Sequence, residues 1–310
     1  MNDAPETVRW LQVRLTVDEP AVDEAEAALS EAGAHAVTLL DAADVPVHEP
    51  DPGSTPVWPQ TIVEGLFDAD VDRSHIGESL AEAGLGESLG SLRFNELVEQ
   101  DWERAWMDRY EPMRFGRDLW ICPSHLEPDP DWPLVIRLDP GLAFGSGTHP
   151  TTALCLEWID SLAIDGRDVL DFGCGSGVLA IAAGLKGAGR LVAVDHDPQA
   201  LLATEDNAAR NGLEGRIDCM LPDAFESLNA ERRQFDLVLA NILAAPLVEL
   251  AGQLMACLRP GAALVLSGIL PEQVESVAAA YRRLGEPVDQ SLRDDWARLV
   301  FIREASGPGA

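Results

Sequence analysis

Lysine is almost absent from this chain of 310 residues. Lys186 is the only lysine, so arginine supplies nearly all of the 22 basic side chains, which face 53 acidic ones and leave a formal net charge of −31. The first hundred residues hold 21 acidic residues and only four arginines. Such a surface repels nucleic acid and attracts basic partners. Adaptation to a salty cytoplasm is a second explanation of the acidity, and both stay open.

Cysteine pairs and long apolar segments are also missing. The five cysteines are scattered without a CxxC pair, which predicts free thiols in a reducing cytoplasm rather than disulfides or a zinc site. No run of about 18 uncharged apolar residues occurs, so we expect no membrane span. The acidic first residues do not resemble a signal peptide. We therefore expect a cytoplasmic protein without a metal, and we also expect a monomer. A chain of this length has room for two domains.

The first hundred residues predict a small α+β domain. Alternating or apolar runs predict strands at 10–16, 36–40, 61–67 and 91–98. Helical spacing of apolar residues predicts helices at 22–32 and 75–83. The order β-α-β-β-α-β is typical of a ferredoxin-like sandwich.

A connecting helix is predicted after this domain. Trp102, Trp106 and Tyr110 are four residues apart, so a helix would place them on one face, where packing is the more common role of an aromatic stripe. We expect three parts of the chain: a small domain at 1–99, a linker helix at 100–118 and a larger domain at 119–305.

The remainder of the chain predicts a doubly wound α/β domain. Near-continuous apolar runs, typical of parallel strands covered on both faces, occur at 168–172, 191–195, 217–221, 235–241 and 263–267. Residues 297–302 offer a last strand. Helical patterns alternate with them at 178–185, 199–211, 246–258 and 273–283. In such a sheet, ligands bind beyond the carboxyl ends of the strands, where the strand order reverses.

The turn Asp171-Phe-Gly-Cys-Gly-Ser-Gly177 follows the first of these strands. Its glycines, Gly173, Gly175 and Gly177, allow close approach of the backbone to a ligand, as glycine-rich turns do in several nucleotide-binding folds. The dinucleotide pattern G-x-G-x-x-G would need a glycine where Val178 stands. A carboxylate at Asp171 suits the ammonium group of S-adenosylmethionine better than a pyrophosphate. The turn therefore favours S-adenosylmethionine, with NAD as the alternative.

Two further acids follow neighbouring strands. Asp195 ends the run Leu-Val-Ala-Val, a position from which a carboxylate can bind both ribose hydroxyls; its alternative is a solvated acid at a strand end. Asp223 follows the next strand and could reach the adenine amino group, although Pro222-Asp223 is also ordinary turn chemistry.

Longer segments carry a more specific resemblance. They are Leu138-Asp-Pro-Gly-Leu-Ala-Phe-Gly-Ser-Gly-Thr-His-Pro-Thr-Thr152, the glycine turn, Ala240-Asn-Ile-Leu-Ala-Ala-Pro246, Trp102-Glu-Arg-Ala-Trp-Met107 and Arg114-Phe-Gly116. Together they resemble the bacterial ribosomal protein L11 methyltransferase family over essentially the whole chain. One departure is Gly145-Ser-Gly147, where the family usually has Gly-Thr-Gly; serine keeps the hydroxyl.

The resemblance implies a seven-stranded methyltransferase sheet and an activity. By that resemblance, methyl groups pass from S-adenosylmethionine to lysine ε-amines and the N-terminal α-amine of ribosomal protein L11, a basic partner held by the small domain. The family's cofactor contacts would fall on Thr152, Gly173, Asp195 and Asn241. The alternative is an S-adenosylmethionine-dependent N-methyltransferase that acts on another protein or a small amine. A nucleic-acid methyltransferase and a regulator without enzymatic activity are further alternatives.

Three residue hypotheses complete the site. Asn241 ends the predicted strand beside the methyl position and could orient the attacking amine; alternatively, it only contacts the cofactor or caps the next helix. His149 is interpreted as a loop or capping histidine rather than a catalytic one. The glycine-rich segment 141–150 is predicted to cover bound cofactor, with Pro150 starting the next helix.

Overall fold

A computed structural model describes residues 9–43, 58–98, 110–139, 147–228 and 233–304. The chain divides into two compact units, residues 1–105 and 106–310. The division falls inside the segment predicted as a linker. No helix among the described residues is long and apolar enough to span a bilayer.

The smaller unit is the predicted ferredoxin-like sandwich. Its strands are β1 (Arg9–Asp18), β2 (Ala36–Asp41), β3 (Gln60–Asp68) and β4 (Arg93–Val98), and its helices are α1 (Val22–Glu31) and α2 (Arg73–Glu82). The strand order is β2-β3-β1-β4, and every pair is antiparallel. Alternate residues of β1, such as Leu11 and Leu15, are fully buried in one core with Leu29 and Ile76 of the helices. The alternation seen in the sequence therefore marks the face of the sheet that the helices cover.

A three-stranded sheet opens the larger unit and corrects part of the linker prediction. Its strands are β5 (Met113–Phe115), β6 (Leu119–Cys122) and β7 (Leu134–Arg137). Residues 113–115 of the predicted helix 100–118 are extended instead, because they pair with β6. Pro112 just before them disfavours helical conformation at residue 111. Tyr110 is buried in the core of this unit, whereas 99–109 lie outside the described residues.

The main sheet of the larger unit has seven strands, as expected. They are β8 (Val169–Phe172), β9 (Leu191–Val194), β10 (Ile217–Met220), β11 (Phe235–Asn241), β12 (Leu258–Ile269), β13 (Asp289–Arg293) and β14 (Trp296–Ile302). The order is β10-β9-β8-β11-β12-β14-β13, with β14 antiparallel to both neighbours and the other pairs parallel. The direction of winding reverses between β8 and β11. A ligand is therefore expected at the carboxyl ends of these two strands.

Helices cover both faces of this sheet. They are α3 (Pro150–Ser161), α4 (Val178–Leu185), α5 (Pro198–Arg210), α6 (Pro222–Glu226), α7 (Ala244–Glu249), α8 (Ala251–Ala256) and α9 (Val274–Ala280). Two details differ from the sequence patterns. The segment predicted as one helix at 246–258 contains two helices, α7 and α8, and β12 begins at Leu258. Strand β13 is not among the predicted strands, because its exposure alternates without a fully buried residue.

Asp160, near the end of α3, connects the three-stranded sheet of β5, β6 and β7 to helices α3 and α4. Its carboxylate accepts the backbone N–H of Arg117 at 2.6 Å, and its backbone carbonyl accepts a hydrogen bond from Lys186 Nζ. Gly116 lies so close that an added Cβ would be 2.4 Å from Asp160 Oδ2. The single lysine of the chain therefore has a structural partner.

Candidate functional site

The glycine turn lies where the strand order reverses. It connects β8 to α4, and Gly173, Gly175 and Gly177 all have positive φ angles, of 77°, 53° and 76°. Residues with a Cβ rarely adopt this conformation. A Cβ on Gly173 would also come within 2.2 Å of Ile242 Cγ2, on the loop that follows β11. The predicted need for glycine is therefore conformational and steric at the same time.

Asp195 directly follows β9 and holds the turn from one side. Its carboxylate is buried, with 8% of the residue exposed; Oδ2 accepts the Gly175 N–H at 2.9 Å, and Oδ1 accepts the Asp197 N–H at 3.0 Å. Asp197 in turn caps the N-terminus of α5 by accepting the N–H of Gln199. Asp195 thus connects the turn with the start of α5. The exposed His196 ring also lies nearby, with Nδ1 3.4 Å from Oδ1. Each carboxylate oxygen can accept more than one hydrogen bond, so Oδ2 in particular leaves room for a ribose hydroxyl.

Asp171 is the most deeply buried acid of the site. Only 1% of the residue is exposed; Oδ2 accepts the Ala180 N–H at 3.1 Å, and Oδ1 has no hydrogen-bond partner among the described residues. Burial raises the pKa of this carboxyl from 3.8 to about 7, with the charge of Asp195 acting in the same direction and the Ala180 N–H opposing it. A buried acceptor with a raised pKa gains most from a cationic partner.

Asn241 ends β11, the strand next to β8. Its Nδ2 donates to Thr152 Oγ1 at 3.3 Å, which connects β11 to the buried start of α3. Asn241 Oδ1 is buried and has no partner within the part of the chain that the structure describes. Close by, Ser267 of β12 donates to the carbonyl of Thr151 at 3.1 Å. The side-chain amide is therefore held through its nitrogen, and its oxygen is the acceptor left for a ligand.

His149 caps α3, the role predicted from the sequence. It precedes Pro150, the first residue of the helix, and its Nδ1 accepts from the backbone N–H of Thr151. Its ring packs edge-on against Trp296, with 4.9 Å between ring centroids, and burial lowers its pKa. The predicted cover segment 141–150 lies mostly outside the described residues, since only 147–150 are included.

The structure brings most of the predicted residues to one edge of the sheet. Asp171 lies near the end of β8, and the turn glycines follow this strand. Asp195 follows β9, and Asn241 ends β11 and is hydrogen-bonded to Thr152. Asp223 is farther away along this edge: it lies in the first turn of α6, after β10, and its side chain is exposed. Its adenine contact stays a prediction.

Two polar residues on α5, Thr204 and Asn207, were not among the predicted site residues. Both are buried and donate to carbonyl groups of the glycine turn. A signal was available: together with Ala200 and Ala208 they form the buried face of an amphipathic helix, where apolar side chains are usual. Polar residues at such positions indicate partners inside the fold.

Comparison with known proteins places the chain in a family. The family model described as "Ribosomal protein L11 methyltransferase (PrmA)" matches residues 9–304. A ribosomal protein L11 methyltransferase of Pseudomonas aeruginosa is 52% identical over 298 residues, which is 96% of this chain and 99% of the relative. The protein of the same name from Methylococcus capsulatus is 47% identical over 95% of this chain and 99% of the relative.

A solved structure agrees with these relatives. The crystal structure of a ribosomal protein L11 methylase from Lactobacillus delbrueckii subsp. bulgaricus is 33% identical, with a TM-score of 0.57, and the match covers 63% of this chain and all of that one. The sequence match extends through both units, and the resemblance expected from the motifs is confirmed. This chain belongs to the ribosomal protein L11 methyltransferase family.

Proposed function

We propose that this enzyme methylates the lysine ε-amines and the N-terminal α-amine of ribosomal protein L11, with S-adenosylmethionine as the methyl donor. The observation that carries the proposal is the family match over residues 9–304, which includes both units. The geometry of the glycine turn supports it, because the turn lies at the strand-order reversal where such sheets bind their ligands.

The residues at the turn fit the chemical groups of S-adenosylmethionine. Asp171 Oδ1 is a buried acceptor without a partner among the described residues, and it is complementary to an ammonium group. Asp195 offers two oxygens with free lone pairs, which suit the two hydroxyls of a ribose. We assign the cofactor contacts to these acids, to the turn glycines and to Thr152 and Asn241. Asp223 is a further contact in this proposal, from the end of β10.

Methyl transfer from such a donor needs little chemistry from the protein. When bound, S-adenosylmethionine supplies an electrophilic methyl group on a sulfonium sulfur. The protein orients the amine and excludes water. A free lysine has a pKa of about 10.4, so fewer than about one amine in a thousand is neutral at pH 7. A partly apolar site increases that fraction, because desolvation disfavours the ammonium form.

Asn241 is the residue that we assign to amine orientation. Its nitrogen is engaged by Thr152, and its buried Oδ1 lacks a partner in the described chain. An N–H of the neutral amine can donate to this oxygen, and the nitrogen lone pair then points away from Asn241. Leu243, 49% exposed and two residues further on, provides an apolar surface beside this position. Asn241 and Leu243 together would align and desolvate the attacking amine.

The smaller unit is proposed to hold the protein substrate. Its part of the sequence carries most of the acidic excess, which attracts a basic ribosomal protein by long-range electrostatics. A separate holding domain is also consistent with several target amines, since one cofactor site must then receive different parts of the same substrate.

Labelling of purified substrates tests the proposal. The enzyme is incubated with S-adenosylmethionine that carries a labelled methyl group and with purified large-subunit ribosomal proteins, ribosomal RNA and a small-amine mixture. We expect label on L11, located by mass spectrometry on lysines and the N-terminal amine. The control is Asp195→Ala, which should lose the transfer because the turn loses its partner at Gly175.

The alternatives give distinct results. Label on another ribosomal protein or on a small amine would keep the cofactor assignment and overturn the substrate. Label only on RNA would contradict the electrostatic argument as well. Binding of S-adenosylmethionine without transfer to any of these substrates would support a regulator rather than an enzyme.

A further inference from the structure

The buried face of α5 carries polar side chains that contact the back of the glycine turn. Thr204 is fully buried and Asn207 is 9% exposed. Their spacing of three residues places them on the same face of the helix. Burying a polar group costs free energy unless it is hydrogen-bonded, so the partners of these two residues define their role.

Both partners are backbone carbonyls of the turn. Thr204 Oγ1 donates to the Gly175 carbonyl at 3.1 Å, and Asn207 Nδ2 donates to the Ser176 carbonyl at 2.9 Å. The N–H of Gly175 is bound on the other side by Asp195. Consecutive peptide groups of the turn are therefore held between α5 and the end of β9.

Close packing adds to this restraint. A Cβ on Gly177 would come within 2.6 Å of Thr204 Cγ2, so the methyl group of Thr204 occupies the space that a glycine leaves open. The hydroxyl and the methyl group of one threonine thus contact two glycines of the turn. Helix α5 can lie this close to the turn because Gly177 has no side chain.

The same side of the helix is anchored beyond its last turn. Asn211 Oδ1 accepts the Arg137 N–H at 2.7 Å, and its Nδ2 donates to the Arg137 carbonyl at 2.9 Å and to the Asn207 carbonyl at 2.8 Å. The Asn211 side chain thus binds both the N–H and the carbonyl of Arg137, as a neighbouring strand would at the end of β7. These hydrogen bonds hold the C-terminal end of α5 against the three-stranded sheet of β5, β6 and β7. Helix α5 is therefore fixed in place behind the glycine turn.

We propose that Thr204 and Asn207 are positioning residues that set the affinity for S-adenosylmethionine by holding the glycine turn in its binding conformation before the cofactor arrives. The proposal rests on the cofactor assigned above and is independent of the protein substrate. A turn that is ordered in the free protein loses little conformational freedom on binding, whereas a loosened turn would lose it at that step. The effect belongs to cofactor affinity, because the turn is equally ordered once the cofactor is bound.

Variants of Thr204 separate its hydroxyl from its shape. Thr204→Val keeps the volume and removes the hydrogen bond to Gly175, whereas Thr204→Ser keeps the hydroxyl and removes the methyl group. Asn207→Ala removes the bond to Ser176. The dissociation constant for S-adenosylmethionine is measured by calorimetry without L11, and kcat for L11 is measured at saturating cofactor. The matched control is Asp206→Ala, an exposed neighbour on the same helix.

We expect Thr204→Val and Asn207→Ala to weaken cofactor binding about tenfold each, because a turn that lacks one of these hydrogen bonds must be ordered when the cofactor binds. Thr204→Ser should stay within about threefold of the unaltered enzyme, since the hydrogen bond is kept. At saturating cofactor, kcat should change less than about twofold in all three variants, because an effect on binding alone leaves the chemical step intact. Asp206→Ala should match the unaltered enzyme in both measurements.

Several results would overturn the proposal. Equal affinities of the serine and valine variants would show that the hydroxyl has no positioning role. A loss of kcat as large as the loss of affinity would indicate general damage to the site. If Asn207→Ala does not fold, the two Thr204 variants decide the question. If the unaltered protein bound no S-adenosylmethionine, the proposed function would fail too, whereas absence of label on L11 would overturn only the protein substrate.

Discussion

Replacement of Asp171 by asparagine should move stability and cofactor affinity in opposite directions. Asparagine has nearly the same shape, and its Oδ1 can still accept the Ala180 N–H that Asp171 Oδ2 accepts at 3.1 Å. The variant lacks the negative charge, which in the native protein is fully buried and has only that one hydrogen bond among the described residues. The charge destabilises the free enzyme and binds the ammonium group of the cofactor in the proposed site.

The magnitude follows from the pKa of Asp171. Burial raises it from 3.8 to about 7, so the folded protein holds this proton more tightly than the unfolded chain. The contribution of Asp171 to the free energy of unfolding therefore decreases as the pH rises from about 4 to about 7 and is level above that. Fully developed, the loss is on the order of 4 kcal/mol, at about 1.36 kcal/mol for each pH unit between the two pKa values. About half of it develops between pH 5.5 and 8.5.

Urea unfolding at pH 5.5 and at pH 8.5 measures this difference, and both values keep the protein away from its pI of about 4.3. We expect the free energy of unfolding of Asp171→Asn, relative to the unaltered enzyme, to increase by about 2 kcal/mol from the lower to the higher pH. Any constant effect of the new amide cancels in this comparison.

Cofactor binding supplies the second half of the test. Affinity of the unaltered enzyme for S-adenosylmethionine should fall as the pH drops below about 7, because protonated Asp171 no longer attracts a cation. In Asp171→Asn the affinity should be lower by about tenfold or more, the loss of one charge-assisted hydrogen bond, and independent of that proton. A stability difference that does not change with pH, or unchanged cofactor affinity, would refute the reasoning.

Three other predictions concern the site and its substrate. Asn241→Ala should lower kcat about 100-fold, as misplacement of a nucleophile does, and change cofactor affinity much less; steady-state kinetics and calorimetry test this, and equal losses would remove the orienting role. Gly173→Ala should destabilise the protein by about 2 kcal/mol or more and weaken cofactor binding, because its φ is 77° and its Cβ would meet Ile242 at 2.2 Å; a thermal midpoint equal to that of the unaltered enzyme would contradict it. Raising salt from about 0.1 M to about 1 M shortens the screening length from about 10 to about 3 Å and should raise the KM for L11; an unchanged KM with higher protein stability would favour salt adaptation as the reason for the acidity.

Much of the fold could be predicted because its strands have simple patterns. The apolar runs that became β8, β9 and β11 are buried on both faces of the sheet, so their sequences contain little else. Strand β13 has no such pattern: among the described strands it lies at the edge of the sheet beside β14, and its half-exposed residues leave no apolar run.

Long-range partners could not be predicted from local patterns. The glycine turn was recognised by its spacing, but nothing in that spacing reveals that Asn207 binds the carbonyl of Ser176, 31 positions away. The pairing of Asn241 with Thr152 joins residues 89 positions apart. Which end of an amide is engaged, and which is left for a ligand, depends on such contacts and becomes visible only in three dimensions.

This lysine methyltransferase has almost no side-chain amine of its own, because Lys186 is its one lysine and is already hydrogen-bonded. Its ammonium group binds the carbonyl of Asp160, and the sequence contains no second lysine. Amine-directed reagents mixed with enzyme and substrate would therefore react almost entirely with the substrate. Lysine footprinting of the complex can accordingly map the protected face of the bound protein with only one lysine of the enzyme to account for, and methyl groups on any other lysine belong to the substrate.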